Sequence, residues 1–464
     1  MKKIKVAYLP LYIKLYDDKN PNMKNPMVAY MKKLIAMIEE QGFEVVCADE
    51  VCRIKEEFDR AVDKFNDDPE IVAVITQHLA YSPSLESIDA LARLKMPILV
   101  FDTTPDYEFL AYADKEDRID ANHGIHGVQD MCCMLKRRDI PYYLCVGHAL
   151  HSNVVAELCG LCRAAYTARS FKNGRVGMIG GEFEGMGDFR ITEERYEKEI
   201  GTKTIHLNAD IMKKYLDQVS EEEIQSEIES DSKRFNVKIT NPDDYKAAIL
   251  TGLAIRKWID DEKLDGITMN FRHTDVDGLP KVPFLECCKT MERGKGYAGE
   301  GDNLTAGLVA ALIKTYPSTS FTEMFCADWE KDIIFLSHMG EINPALTAWT
   351  PTIDDKKFTY NSSGNTVTMN ACYRKGKAVY VNLAPRKEGF ALILSNVELT
   401  DDGKPDNIYK REVQGWMKPS MPVADFLKAF SLAGGTHHSA LVYDVDINEL
   451  AAFGKMMGFE VVII

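Results

Sequence analysis

The chain has 464 residues, 45% of them hydrophobic and 27% charged, with a formal net charge of -15 at pH 7. That length exceeds what one core needs and points to two or three domains, and the negative balance argues against nucleic acid, whose recognition calls for basic patches. No apolar run is long enough to cross a bilayer, so a membrane partner is not expected and a small neutral substrate fits better.

The opening MKKIKVAYLPLYIKLYDD sets lysines ahead of apolar residues, but Lys14, Asp17 and Asp18 interrupt the stretch and no small-residue cleavage site follows. It reads as a first strand. The runs IKVAYLPLY, EVVCADEVC, IVAVITQHL, PILVFDTT and YYLCVGHA are rich in β-branched residues and read as strands. They alternate with helical segments such as NPMVAYMKKLIAMIEEQG, whose apolar residues recur at three and four and which stops on Gly42. This rhythm implies right-handed βαβ units and a parallel sheet covered on both faces.

Eleven cysteines, an odd number, sit mostly in apolar surroundings and read as reduced thiols of a cytoplasmic protein. Cys159 and Cys162 have a redox spacing, but they fall within a helical pattern over about 151–169 and have no second CxxC, so their plain reading is two buried helix thiols.

A second α/β run begins near Gly174 with GRVGMIGG and continues through TKTIHLNA, two charged helices over about 220–235 and 243–262, and the strand GITMNF. From about residue 316 the texture changes. KKFTYNSS, TVTMNACYRKGKAVYVNLA, EGFALILSNVEL and YKREVQGWM alternate polar and apolar residues between Gly, Asn and Asp turns, the mark of antiparallel sheet. The expected fold class is therefore α/β, with two doubly wound parallel-sheet domains over 1–170 and 171–315 followed by a mainly antiparallel, barrel-like β domain over 316–464.

The stretch GYAGEGDNLTAGLVAAL, residues 296–312, carries two carboxylates in a glycine-rich turn that opens an apolar helix. Such turns usually hold phosphate. Asp302 reads as the N-cap of the helix that runs from about 303 to 314. Glu300, between Gly299 and Gly301, can be aimed into a cleft, where a cation is the obvious partner.

Three other stretches supply ligand-type side chains: Glu323 in TSFTEMF, His338 and Glu341 in IIFLSHMGEINP, and His437 and His438 in LAGGTHHSALVYD. Each is explicable alone as a solvent-facing carboxylate or a hydrogen-bonded histidine. Together, two carboxylates and one or two imidazoles suit Mn²⁺, Mg²⁺ or Co²⁺ with positions left for substrate, and the absence of cysteine argues against structural zinc.

YAGEGDNLTAG, SFTEMF, HMGEINP and GGTHHS, in this order, resemble the signature of the L-arabinose isomerase and L-fucose isomerase superfamily, the arabinose branch more closely. The resemblance extends over DGITMNF and, more weakly, over the N-terminal α/β region. It implies an aldose-ketose isomerase of a pentose or deoxyhexose. The implied metal ligands are Glu300, Glu323, His338 and His438, with Mn²⁺ the expected ion, and the two glutamates are the implied acid and base. Implied substrate contacts are Thr268, Phe271, Phe321, Glu341 and His437, with looser matches at Tyr81 in AYSPS, His123 in NHGIHGVQD and Met186 in EGMGDF. The segment YLPLYIKLYDD lacks the glutamine of arabinose isomerases, which leaves the sugar open. The resemblance also implies a homo-oligomer, a trimer or hexamer, in which His123 serves a neighbouring subunit's site.

Two other classes bear weighing. A sugar-binding module would share the α/β cleft but gives no reason for a Glu/Glu/His/His set. A dehydrogenase reading of VGMIGGEFEGMG fails because the G-x-G-x-x-G spacing is absent and Glu182 and Glu184 would face a pyrophosphate. Epimerisation on the same site shares the enediolate and differs in where the proton returns.

Overall fold

The computed structural model describes residues 3–109 and 118–464. The chain falls into two compact units, residues 1–166 and 167–464. In the first unit, β1 (Ile4–Leu11), β2 (Phe43–Cys47), β3 (Ile71–His78), β4 (Ile98–Asp102) and β5 (Tyr142–Val146) form a parallel sheet of order β2-β1-β3-β4-β5. All eight residues of β3 are buried, as expected of a strand in a sheet covered on both faces. The helix Asn25–Glu40 buries Met27, Met31, Leu34 and Ile38, the helical spacing read in the sequence.

The second unit contains a smaller parallel sheet and a barrel. The sheet comprises β6 (Arg175–Ile179), β7 (Lys203–His206), β9 (Gly266–Met269) and β10 (Gly296–Gly299), in the order β10-β9-β6-β7. The intervening β8 (Asn236–Lys238) instead joins the sheet of the C-terminal region.

That region is built from β11 (Thr319–Asp328), β12 (Ile333–Ser337), β13 (Thr352–Lys356), β14 (Thr366–Cys372), β15 (Gly376–Pro385), β16 (Phe390–Leu399), β17 (Val413–Pro419), β18 (His438–Tyr443) and β19 (Glu460–Ile463). Six of these close on themselves in the order β15-β18-β11-β12-β17-β16, every pair antiparallel. Closure removes the free edges that a six-stranded sheet would otherwise expose. The expected α/β, α/β, β-barrel sequence is thus observed.

Two strands lie elsewhere than the pattern suggests. KKFTYNSS contributes only Lys356 to a strand, because the pairing of β13 with β14 starts upstream at Thr352, and YKREVQGWM becomes β17 only from Val413.

The helix Asn303–Thr315 explains how the sheet and the barrel share one core. Residues 303–313 are all buried, since the helix packs on β6, β9 and β10 on one side and on β11, β15 and β18 on the other. A helix apolar all round belongs in such a place. Among the described residues, no helix is long and apolar enough to cross a membrane.

Candidate metal centre

Strand pairing brings the principal side chains together. Glu323 of β11 is the cross-strand partner of His438 at the start of β18 and of Ser337 at the end of β12, so that His338, the next residue, lies at the same end of the barrel. Directly paired residues on an antiparallel sheet project to the same face at about 5 Å. The register therefore gathers one carboxylate and two imidazoles from positions spread over residues 323–438.

Glu300 arrives from the central sheet, immediately after β10. Its backbone adopts φ 62 and that of Gly301 φ 75, a left-handed pair that turns the chain into the following helix. A side chain at 301 would collide with the carbonyl of Gly181, and a Cβ at 299 would stand 2.8 Å from Cε1 of His338. The two glycines are thus required by close approach, which answers why the turn is glycine-rich without holding phosphate. Asp302 caps the helix by accepting the N–H of Thr305 at 2.8 Å, and its other oxygen is 3.0 Å from Nδ1 of His438.

Three histidines are each held at Nδ1 by a carboxylate. His338 meets Glu341 at 2.8 Å, His438 meets Asp302 at 3.0 Å and His437 meets Asp188 at 2.7 Å. All three leave Nε2 turned toward the glutamates: His338 lies 3.6 Å from Glu323 Oε2, while His437 and His438 each lie 3.4 Å from Glu300 Oε2. Orienting carboxylates of this kind fix the tautomer and raise the basicity of the ligating nitrogen.

Two groups of potential donor atoms result, Glu323/His338/His438 and Glu300/His437/His438, with the atoms of each group within 4.8 Å of one another. Among the described residues, the buried Nε2 of His438 meets no hydrogen-bond partner in good geometry, its nearest carboxylate oxygen being that of Glu300 at 3.4 Å. A buried imidazole nitrogen without a well-placed partner, beside two carboxylates and with no thiol, fits a divalent ion.

The electrostatics follow from burial and pairing. Burial by itself would raise the Glu300 carboxyl, but His437 and His438 override it and hold it well below the usual range. For Glu323 burial wins, and its carboxyl is raised. Burial would lower His338, but the Glu341 carboxylate, with Glu323 and Glu300 beyond, pushes it up to about 9. His437 is pushed up to about 10 against burial, chiefly by Asp188, which is itself lowered to about 2 by that pairing although burial opposes it. His438 is raised by Asp302 and Glu300 in spite of its burial.

The remaining expected contacts distribute as follows. Phe321 is fully buried and presents its edge to His338 and His438, at ring separations of 5.0 and 5.1 Å. Phe271 packs with Phe183 at 5.4 Å, and the Phe183 N–H donates to the Glu300 carbonyl at 3.2 Å. Thr268 is buried, its hydroxyl 3.3 Å from the Gly299 carbonyl. Glu341 stands behind His338 with its second oxygen taken by the Tyr297 hydroxyl at 2.7 Å. Met186 lies half-buried in the loop 180–190.

Tyr81 and His123 belong to the first unit. There they lie 6.3 Å apart by ring centres, with His126 at 2.8 Å from His123. Sequence reasoning missed Asp188, Tyr297 and the orienting half of Asp302's role. It also missed Asn382, whose amide nitrogen lies 2.7 Å from the His438 carbonyl and 2.9 Å from the Thr436 carbonyl, pinning the turn that carries both histidines.

Comparison with known proteins bears on what this arrangement is. The L-arabinose isomerase N-terminal domain matches residues 17–173, the central domain 193–316 and the C-terminal domain 318–460, so the three in succession account for most of the chain. The L-arabinose isomerase of Aeromonas hydrophila is 25% identical over 416 residues, which is 86% of this chain and 82% of that one. That of Shouchella clausii is 22% identical over 448 residues, 94% of this chain and 90% of its own. A solved periplasmic solute-binding protein from Actinobacillus succinogenes 130z, with bound D-allose, aligns at 11% identity over 68% of this chain and 92% of its own, with a TM-score of 0.18. At that score it bears on neither fold nor function.

The class is that of the aldose-ketose isomerases, intramolecular oxidoreductases of sugars. Within it, the chain belongs to the L-arabinose isomerase family.

Proposed function

We propose that the chain is a divalent-metal-dependent isomerase of a pentose or deoxyhexose, with Mn²⁺ the preferred ion and Mg²⁺ or Co²⁺ as substitutes. The observation that carries the metal reading is that two groups of donor atoms, Glu323 with His338 and Glu300 with His437, share the buried His438. Glu300, Glu323, His338 and His438 would hold the ion. When bound, it supplies positive charge that polarises a carbonyl and stabilises an enediolate.

The chain's own groups then move the protons. Glu323, whose burial raises its affinity for a proton, takes the proton from C2 of an aldose as the carboxylate and returns it to C1. Glu300, kept ionised by its two histidines, passes the hydroxyl proton from O2 to O1. Two carboxyls with oppositely displaced proton affinities suit such a division of labour. Phe321 and Phe271 give the sugar's C–H faces an apolar wall, and His437, with Thr268 and Met186, borders the substrate.

The test is a metal-depleted preparation offered a panel of aldoses and ketoses with and without Mn²⁺. A pentose or deoxyhexose should be converted to its ketose only with metal. A C2 epimer as the product would replace isomerisation by epimerisation, and binding without turnover would leave a sugar-binding protein.

Because His338 holds a proton at neutral pH in the ion-free protein, and the proton affinity of His438 is raised as well, a metal must compete with protons for both rings. The raised proton affinity therefore competes with the ion. Mn²⁺ affinity should climb with pH from neutral and level off near the His338 value of about 9. Calorimetric titration at several pH values checks this, and a flat profile would contradict it.

The same reading extends to assembly as a trimer or hexamer, with His123 serving a neighbour's site and Tyr81 a candidate sugar contact. Support comes from large apolar side chains exposed on the first unit, namely Tyr107, Phe109, Ile119, Ile125, Val146 and Leu150. Sedimentation at working concentration reads the state directly.

A further inference from the structure

Asp188 lies 249 positions before His437, and one of its oxygens accepts from that residue twice, from the backbone N–H at 2.9 Å and from ring Nδ1 at 2.7 Å. The adjacent Phe189 braces both imidazoles, stacking on His438 with ring centres 5.1 Å apart and lying 5.5 Å from His437. Two consecutive residues of the loop 180–190 therefore set the direction of the histidine pair. The pair is unequal: the side chain of His438 is fully buried, whereas that of His437 is 32% exposed. Held by Asp188 at Nδ1, His437 turns Nε2 to the cleft, 3.4 Å from Glu300 Oε2.

We infer that Asp188 is the positioning residue that makes His437 a fixed hydrogen-bonding partner for a sugar hydroxyl, while His338 and His438 serve the ion. This rests on the isomerase reading above. Asp188 is not needed to hold its own loop in place. The loop is anchored independently by Phe183 N–H to the Glu300 carbonyl at 3.2 Å, by Asn270 to the Glu182 carbonyl at 3.0 Å and by the Arg190–Glu182 ion pair. Loss of the Asp188 side chain should thus free the His437 ring and leave the fold intact.

The experiment compares Asp188→Asn and Asp188→Ala with Glu341→Gln in the full-length protein. It reads kcat and KM for the converted sugar, Mn²⁺ affinity by electron paramagnetic resonance, and the His437 ring orientation in crystals. Outer carboxylates behind functional histidines are worth about 10- to 100-fold. Asp188→Ala should lower kcat/KM by about that factor, leave Mn²⁺ affinity within about threefold and show a rotated His437 ring, while Asp188→Asn, whose amide oxygen can still accept both bonds but carries no charge, should keep the ring in place and lose less. Glu341→Gln, behind an ion-holding histidine, should weaken Mn²⁺ by about 10- to 100-fold instead.

An Asp188→Ala variant that keeps kcat/KM within about twofold would overturn the positioning role alone. Variants that lose Mn²⁺ in step with Glu341→Gln would overturn it by making His437 an ion ligand. An unaltered protein that neither binds Mn²⁺ nor converts any sugar would remove the proposed function, and this inference with it.

Discussion

Glu323→Gln should lower kcat for aldose-ketose interconversion by about 10²- to 10⁴-fold at saturating Mn²⁺, the range for loss of a positioned proton carrier. The glutamine keeps the side chain's length and one oxygen donor, so the loss isolates proton transfer from packing. Geometry favours a clean result. Glu323 stands where two ladders meet, the last residue of β11 paired with β18 and the first paired with β12, and these pairings run through its backbone and not its side chain. Its carboxylate lies 3.6 Å from His338 Nε2, and within 4.8 Å of a ring nitrogen of His438. Melting temperature and Mn²⁺ binding, measured alongside the kinetics, separate the two effects. A variant that folds, binds the ion and turns over within about threefold of the unaltered protein would exclude Glu323 as the carrier.

Lys289→Met should destabilise the second unit by about 3–5 kcal/mol, the usual cost of removing one partner from a buried ion pair. Lys289 lies on the helix Phe284–Glu292 with its side chain 3% exposed, and its ammonium meets Asp231 at 2.6 Å and Glu227 at 2.8 Å. Arg256 bridges Glu227 to Glu286, and Arg293 closes the chain on Glu286. The network ties together the helices Glu221–Arg234, Pro242–Asp261 and Phe284–Glu292.

Methionine fills the space but leaves Asp231, which is fully buried, with only the Tyr245 hydroxyl at 2.9 Å. Burial already raises the Asp231 carboxyl, so it would protonate, and adding Asp231→Asn should recover more than half the loss. Calorimetric melting measures both variants. A single variant within about 1 kcal/mol of the parent would show that the network contributes specificity and not stability.

The architecture was largely legible because its elements obey local periodicities. β1 and β3 are continuous apolar runs, the helix Asn25–Glu40 repeats at three and four, and the segments over 376–385 and 390–399 became two strands of the barrel. A barrel was expected, but which strands close it was not legible. The pairing of β16 with β17 that completes it depends on twist accumulated over six strands, which no local pattern records. β8 escaped notice for a similar reason, since it pairs only with β13, far along the chain.

In the site, residues flanked by unusual backbone or framed by apolar strands stood out, as Glu300, Glu323, His338 and the His437–His438 pair did. Asp188 carried no such mark. It sits among glycines in an irregular loop, where an acidic residue ordinarily reads as solvated, and only the folded chain brings it to His437. Glu341 was visible, but its side could not be read: three residues from His338, it could as well have faced the sugar as the back of the imidazole.

Everything proposed for the chemistry depends on one ion site formed between the end of the central sheet and the rim of the barrel. Crystals of the full-length protein grown with Mn²⁺ and measured at the manganese absorption edge test it most directly. The account predicts a single strong anomalous peak enclosed by the carboxylates of Glu300 and Glu323 and by Nε2 of His338 and His438. No peak at saturating Mn²⁺, or a peak bound elsewhere with those four side chains unmoved, would contradict it.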